Sequence, residues 1–331
     1  MSPAPAQALD ACVSTGLGTF QTGGASCSSG GPLQWAIAIG ANATATAVGG
    51  VFNLAIAIGT DAAAIAGGAA DPDLGPATGS FNIARALGTG SLAIAGGDAA
   101  ASGDPIGFFN LARAFGPGAS AQAENGNFGL ARAIGDRSVA AAGLGGNFQV
   151  ARAFGYETSA VAIRGTAQFA RSFGYRSQAN AQFGSFSVAR AATLPHLLGG
   201  SIGARAAVSD GIGNLARAIG DGSSATASYG NLNLAWTGFF TAANAANTAY
   251  AAHGDLNVAA VWGNGNSAVA GDTIGSGNSD DVAIVVGQRS SATAGPGSHN
   301  YVVVVGIDQH QSKPAAAAGV RRHGSDGARR R

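Results

Sequence analysis

Charge is scarce in this chain. Only 11% of its 331 residues are charged, and the formal net charge is +1. No overall basic field exists to gather nucleic acid or an acidic membrane, so specific nucleic-acid binding is not expected. Glutamate occurs only at Glu124 and Glu157, and lysine only at Lys313. The basic residues are otherwise arginine. Aromatics are 7% of the chain, which argues against a deep core of large side chains. No run of eighteen apolar residues occurs, so no transmembrane helix is expected. His196, His253, His299, His310 and His323 have no metal-ligand spacing, and Gly199-Gly200-Ser201 lacks the lysine and helix of a phosphate loop. Asp280-Asp281 reads as a coil corner, because adjacent strand residues point apart. The expectation is therefore a protein with no catalytic residues, no metal and no cofactor.

Cysteine is nearly absent as well. Cys12 and Cys27 are the two thiols. In an oxidising compartment they would close a small loop; otherwise they are unrelated thiols in a leader. Residues 1–30 are rich in Ser, Thr and Gly without period, and read as a leader or N-terminal cap. Ala6-Gln7-Ala8 would suit a signal-peptidase site, but the basic and apolar regions that precede one are missing. A signal-peptide remnant is one reading of this start.

What the chain does have is 54 glycines and an apolar fraction of 46%. Without a three-residue period this is not collagen, and the apolar fraction argues against simple disorder. The glycines mark a repeat. Gly40, Gly59, Gly88, Gly116, Gly135, Gly155 and Gly174 each end a unit. Thr193 takes the next place, followed by Gly220, Phe239, Gly263, Gly287 and Gly306, giving thirteen units of about nineteen residues. Longer steps contain Pro/Gly-bearing insertions at 71–76 and 103–107.

Within a unit, alanine recurs at spacing two on both sides of the glycine, as in Ala131 and Ala133, then Ala140 and Ala142. Spacing two is a strand signal, although alanine is also the best helix former. Valine runs such as Val302 to Val305 favour strand. Two short strands per unit describe an all-β fold: a parallel, two-sheet β-solenoid of about thirteen coils over residues 31–310, followed by a disordered basic tail at 311–331.

Polar residues vary freely between the alanines of the second strand, so the alanines face inward. Six residues before the glycine stands an amide: Asn53, Asn82, Asn110, Gln149, Gln168, Asn214, Asn233, Asn257 and Asn300. Two readings are open: an inward amide ladder, or a row of exposed turn residues. Inward alanines put Phe109-Leu111-Arg113-Phe115, Phe128-Leu130-Arg132-Ile134 and Phe148-Val150-Arg152-Phe154 on the outside, as an apolar stripe larger than a monomer leaves in water. The alternative, large residues inward, would bury seven arginines without acids to pair them.

Arg85, Arg113, Arg132, Arg152, Arg171, Arg190 and Arg217 share one position in seven successive units. Charges ~4.8 Å apart repel by roughly 0.9 kcal/mol in bulk water and about four times that at an effective dielectric of 20. Such a row is solvated with its stems over the apolar stripe, or binds an anionic polymer such as a sulfated glycan, or lies at an oligomer interface.

Ala36-Ile37-Ala38-Ile39-Gly40-Ala41-Asn42-Ala43-Thr44-Ala45-Thr46-Ala47-Val48-Gly49 and Leu54-Ala55-Ile56-Ala57-Ile58-Gly59 resemble head repeats of YadA-like trimeric autotransporter adhesins, although the units here are longer. The resemblance implies a parallel β-roll, a surface or secreted location, homotrimers with one sheet toward a shared axis, and a host or cell-wall surface ligand. The functional expectation is a non-enzymatic, adhesin-like or structural repeat protein that self-associates through its Phe/Leu/Arg/Ile face, with anionic-polymer binding as the alternative.

Overall fold

In the computed structural model, the described residues are 9–67, 79–96, 107–116, 118–124, 126–143, 146–174, 176–192, 203–220, 222–238, 246–271 and 278–313. All regular structure among them is β. Strands alternate between a 15-stranded and a 14-stranded sheet, so each pass of the chain adds one rung to each. From Trp35–Ile39 onward every neighbour in the first sheet is parallel. That sheet holds one strand for each of the thirteen units, linked by twelve turns of the coil. The fold is a β-solenoid, and at ~4.8 Å per rung the rod is roughly 60 Å long. The unit ends Thr193 and Phe239, the insertion at 71–76, most of that at 103–107, and His196 lie outside the described residues.

The N-terminal segment builds onto this rod. β1 (Ala11–Thr15) runs antiparallel between β2 (Gly18–Thr22) and β4 (Trp35–Ile39), the first rung. β3 (Ser26–Ser29) opens the second sheet, parallel to Thr44–Ala47. A disulfide joins Cys12 to Cys27, with Cα atoms 5.6 Å apart, and so ties the first strands of the two sheets together. An antiparallel hairpin laid on a parallel edge occupies backbone groups that would otherwise template another chain. At the other end the coil runs past residue 310, because His310–Lys313 pairs with Ser291–Ala294. Residues 314–331, which make up most of the expected tail, lie outside the described residues.

Alanine fills the interior. The inward residues of both sheets, from Ala36 and Ala38 to Ala292 and Ala294, are buried, and valine replaces alanine only at later rungs such as Val261, Val285 and Val304. Two sheets that meet on methyl groups approach closely, so the core is thin. Most of the backbone polar groups are satisfied by the rungs above and below. The unit-ending glycines follow from the same tight stacking. A Cβ on Gly40 would lie 2.5 Å from the carbonyl oxygen of Gly59, and one on Gly135 would lie 2.7 Å from that of Phe154.

The amides form an inward ladder, but not amide to amide. The side-chain oxygen of each asparagine accepts from the backbone N–H of the equivalent residue one coil on. Asn53 Oδ1 takes Asn82 at 2.9 Å, Asn82 takes Asn110 at 3.0 Å and Asn110 takes Gly129 at 2.9 Å. A second run takes Asn233 onto Asn214 at 2.9 Å and Asn257 onto Asn233 at 3.0 Å. From Asn53 to Asn257 the Nδ2 groups of the asparagines donate to carbonyls, as from Asn53 to Val48 at 2.8 Å, whereas that of Asn300 is buried without a partner. The longer Gln149 and Gln168 reach only turn carbonyls, and their Oε1 atoms are buried without a partner. The second run continues through Asp281, which accepts from Asn300. Asp280-Asp281 is thus a corner, with Asp281 inside it.

A second polar ladder stands three residues after the glycine, at Ser91, Ser138, Thr158, Ser177, Ser223, Asn266 and Ser290, all buried. Asn266 N–H donates to Asn247 Oδ1 at 3.0 Å, and Ser290 N–H donates to Asn266 Oδ1 at 2.9 Å. A small polar residue at that offset in most units is the sequence signal for it.

Candidate functional site

The outer face of the first sheet carries the seven arginines. Strand register places Arg85 beside Arg113, Arg113 beside Arg132, Arg132 beside Arg152, and so on through Arg171 and Arg190 to Arg217. The row is unbroken. Ile56 precedes it and Trp236 follows it. Alternation along each strand decides the direction: with alanine inward on either side, the residue between must point out. All seven are half-buried or exposed.

Apolar columns flank the row. On one side stand Ile83, Leu111, Leu130, Val150, Phe169, Val188 and Leu215, in register. On the other stand Phe115, Ile134, Phe154 and Phe173, the first three half-buried. The rings of Phe154 and Phe173 meet edge-on with centroids 6.3 Å apart. Arginine stems lie along this surface. The Arg132 guanidinium sits 5.5 Å from the Phe154 ring centroid, and that of Arg217 sits 5.3 Å from Trp236.

Phe109, Phe128 and Phe148 are not on the strand face where alternation placed them. Each precedes its strand and has φ near +60°, as do Phe52 and Phe81. A left-handed residue breaks the two-residue parity and turns the ring out at the corner of the coil. There the five rings form a stacked column, with centroid spacings of 5.0, 4.9, 5.3 and 5.0 Å. Each of the three interior rings has both faces covered by its neighbours, so within the column no face is free for a nucleobase.

Acids are elsewhere. At another corner Glu157 bridges Arg137 at 3.3 Å and Arg176 at 3.0 Å. Arg289 pairs with Asp308 at 2.8 Å, and His299 with Asp280 at 3.2 Å. Among the described residues no carboxylate pairs with any of the seven row arginines, and Nε of Arg113 and of Arg132 is buried without a hydrogen-bond partner. The second sheet's outer face is mixed, with Thr44 and Thr46, Ser120 and Gln122, and Gln178 and Asn180 on some rungs and Ile65, Leu92, Ile94 and Val139 on others. An unbroken row of arginines between apolar columns occurs on the first sheet and not on the second.

No family model, curated protein or solved structure matches this chain. The likeness of its opening coils to YadA-like heads stays a resemblance, and the functional reading rests on the geometry of the face.

The arrangement suits binding. Cationic groups lie in a line over an apolar floor, and among the described residues no three His, Cys, Asp or Glu side chains gather as a metal site. Two titrations are displaced within the fold, and neither belongs to the face. Burial raises the carboxyl of Glu124 above its ordinary value. Burial also raises that of Asp281, against the lowering effect of the hydrogen bond from the Asn300 backbone N–H.

Proposed function

We propose that this chain is a non-enzymatic structural or adhesin-like repeat protein, surface-exposed or secreted, that self-associates through the outer face of its first sheet. The observation that carries the reading is the continuity of that face: two apolar columns run alongside the arginine row over most of the rod. Apolar surface on this scale is stabilised by being covered. The cysteine pair fits an oxidising compartment. A homotrimer with this sheet toward a shared axis is the assembly that the adhesin resemblance favours. Size-exclusion chromatography with light scattering tests the reading across buffers. A stable monomer at micromolar concentration in every one of them, phosphate included, would overturn it.

The unpaired arginine row supports a second reading, binding of a sulfated glycan or similar anionic polymer. Retention on immobilised heparin should fall when Arg132→Ala and Arg152→Ala are combined; unchanged retention would exclude it.

A further inference from the structure

The charge pattern of the face restricts how two copies can meet. In seven successive rungs of the first sheet arginine holds the middle of three outward positions, as in Leu111, Arg113 and Phe115. Docking that brings the apolar columns of two copies together therefore also brings the arginine rows together. A sideways offset that separates the rows leaves about half of each face uncovered. Face to face, seven cations meet seven cations, and among the described residues no carboxylate pairs with any of them. Repulsion at ~4.8 Å is already roughly 0.9 kcal/mol per neighbouring pair in water and rises several-fold as the face dries.

The area is nevertheless suited to a dimer. Five residues of strand at ~3.4 Å, over thirteen rungs at ~4.8 Å, make a face of roughly 1,000 Å² per copy, against about 800 Å² per partner in an ordinary stable interface. The missing component is negative charge. Among the described residues the acids that pair with arginine do so away from the row, where Glu157 holds Arg137 and Arg176 and Asp308 holds Arg289.

We propose that the arginine rows of two copies are bridged by oxyanions, phosphate or sulfate groups, so that association of this protein through the face is anion-dependent. This rests on the self-association reading and adds its ligand. A guanidinium offers several N–H donors in a fixed fork, and a tetrahedral oxyanion has oxygens for a fork on each side. An anion between two rows thus exchanges repulsion for charge-assisted hydrogen bonds to both copies. Among the described residues no carboxylate is paired with any of the seven row arginines, so the guanidinium N–H groups on the open side of the face are not held by an acid of the same copy.

The test is light scattering on the full chain at fixed ionic strength, in sodium chloride and then with low-millimolar inorganic phosphate replacing part of the chloride. The expected result is a monomer in chloride and a dimer or larger assembly in phosphate, with the association constant raised at least about tenfold. The triple variant Arg132→Gln, Arg152→Gln, Arg171→Gln should lose the phosphate dependence. The matching lysine variant, which keeps charge without the planar fork, should need more phosphate than the wild type. Assembly in chloride that phosphate does not change overturns the bridging and leaves the self-associating face standing. A monomer in both buffers overturns bridging and self-association together. Phosphate dependence that survives in the glutamine variant places the anion elsewhere and also overturns the proposal. Circular dichroism of each variant, with the β signal of the wild type expected, checks that the substitutions leave the coil folded.

Discussion

The carboxylate of Asp281 accepts a hydrogen bond from the backbone N–H of Asn300 at 2.8 Å, in a slot that asparagine fills in the three preceding coils. One carboxylate oxygen repeats what the asparagine oxygens do. The other stands where an Nδ2 group would donate. In the coil before, Asn257 Nδ2 donates to the carbonyl of Ala252 at 3.2 Å, and register makes Gly271 the residue equivalent to Ala252. Asp281 Oδ2 is buried without a hydrogen-bond partner. The slot calls for a donor, and an ionised carboxylate has none.

Asp281→Asn should therefore stabilise the protein at neutral pH. Supplying the missing donor and removing a buried charge corresponds to about 1–3 kcal/mol. The pH dependence has a definite sign. Burial raises the folded-state pKa of Asp281 above its ordinary value, so the folded chain holds the proton more tightly than the unfolded chain. The contribution of this group to stability is complete below the ordinary carboxylate range and falls as pH rises through the raised value. Thermal melts across that range should show this fall in the wild type and its loss in the variant. A variant melting below the wild type at pH 7 would contradict the account.

The phenylalanine column should carry stability that its exposure hides. Phe128 stacks on Phe109 and Phe148, so Phe128→Ala removes two ring contacts, about 1–3 kcal/mol in all. Its φ of 61° is strained for any side chain, which glycine relieves. Phe128→Gly should thus be no less stable than Phe128→Ala. Denaturant unfolding gives the ordering, and a glycine variant clearly below the alanine one would remove strain from the explanation.

Neighbouring positions on one strand should respond in opposite ways to substitution. Ala131 is buried between the sheets, and Ala131→Leu forces three extra carbons into a core built for methyl groups, costing about 1–3 kcal/mol. Arg132→Gln, one residue on and facing out, should change stability by no more than ~0.5 kcal/mol, or raise it as repulsion falls. Equal losses at the two sites, read from melting temperatures, would contradict the assigned faces.

Replacing both cysteines with serine opens a loop whose ends are 15 residues apart, worth about 3 kcal/mol in the chain-entropy picture. The effect should be local, since each coil contacts only its neighbours. Hydrogen exchange should speed up in β1, β3 and the first rung and stay unchanged beyond the middle of the rod. A uniform change along the chain would show that the coil unfolds as one unit.

The coil was legible because its signals are periodic and local. Spacing-two alanines specify which side of each strand is inward, and the glycine marks where backbone meets backbone. Together these two signals are enough to place Arg132 between Arg113 and Arg152. The asparagine ladder was legible for the same reason. Phe128 was misplaced on the strand face because parity counting assumes extended backbone throughout, and one left-handed residue before the strand breaks the count. Asp281 was missed as a ladder member because it has an acid's chemistry in an amide's position.

The sequence by itself determined the repeat, the all-β coil, the alanine interior and the presence of an arginine in seven successive units. Each of these depends on side-chain size, backbone preference or spacing within a single unit. Tertiary structure alone decided that the thiols of Cys12 and Cys27 meet across the two sheets, that the phenyl rings stack at a corner, and that Glu157 serves Arg137 and Arg176 while no described acid pairs with the arginine row. Those outcomes depend on which residues of different coils come within a few ångströms, and that is set by stacking register and corner geometry rather than by any one unit.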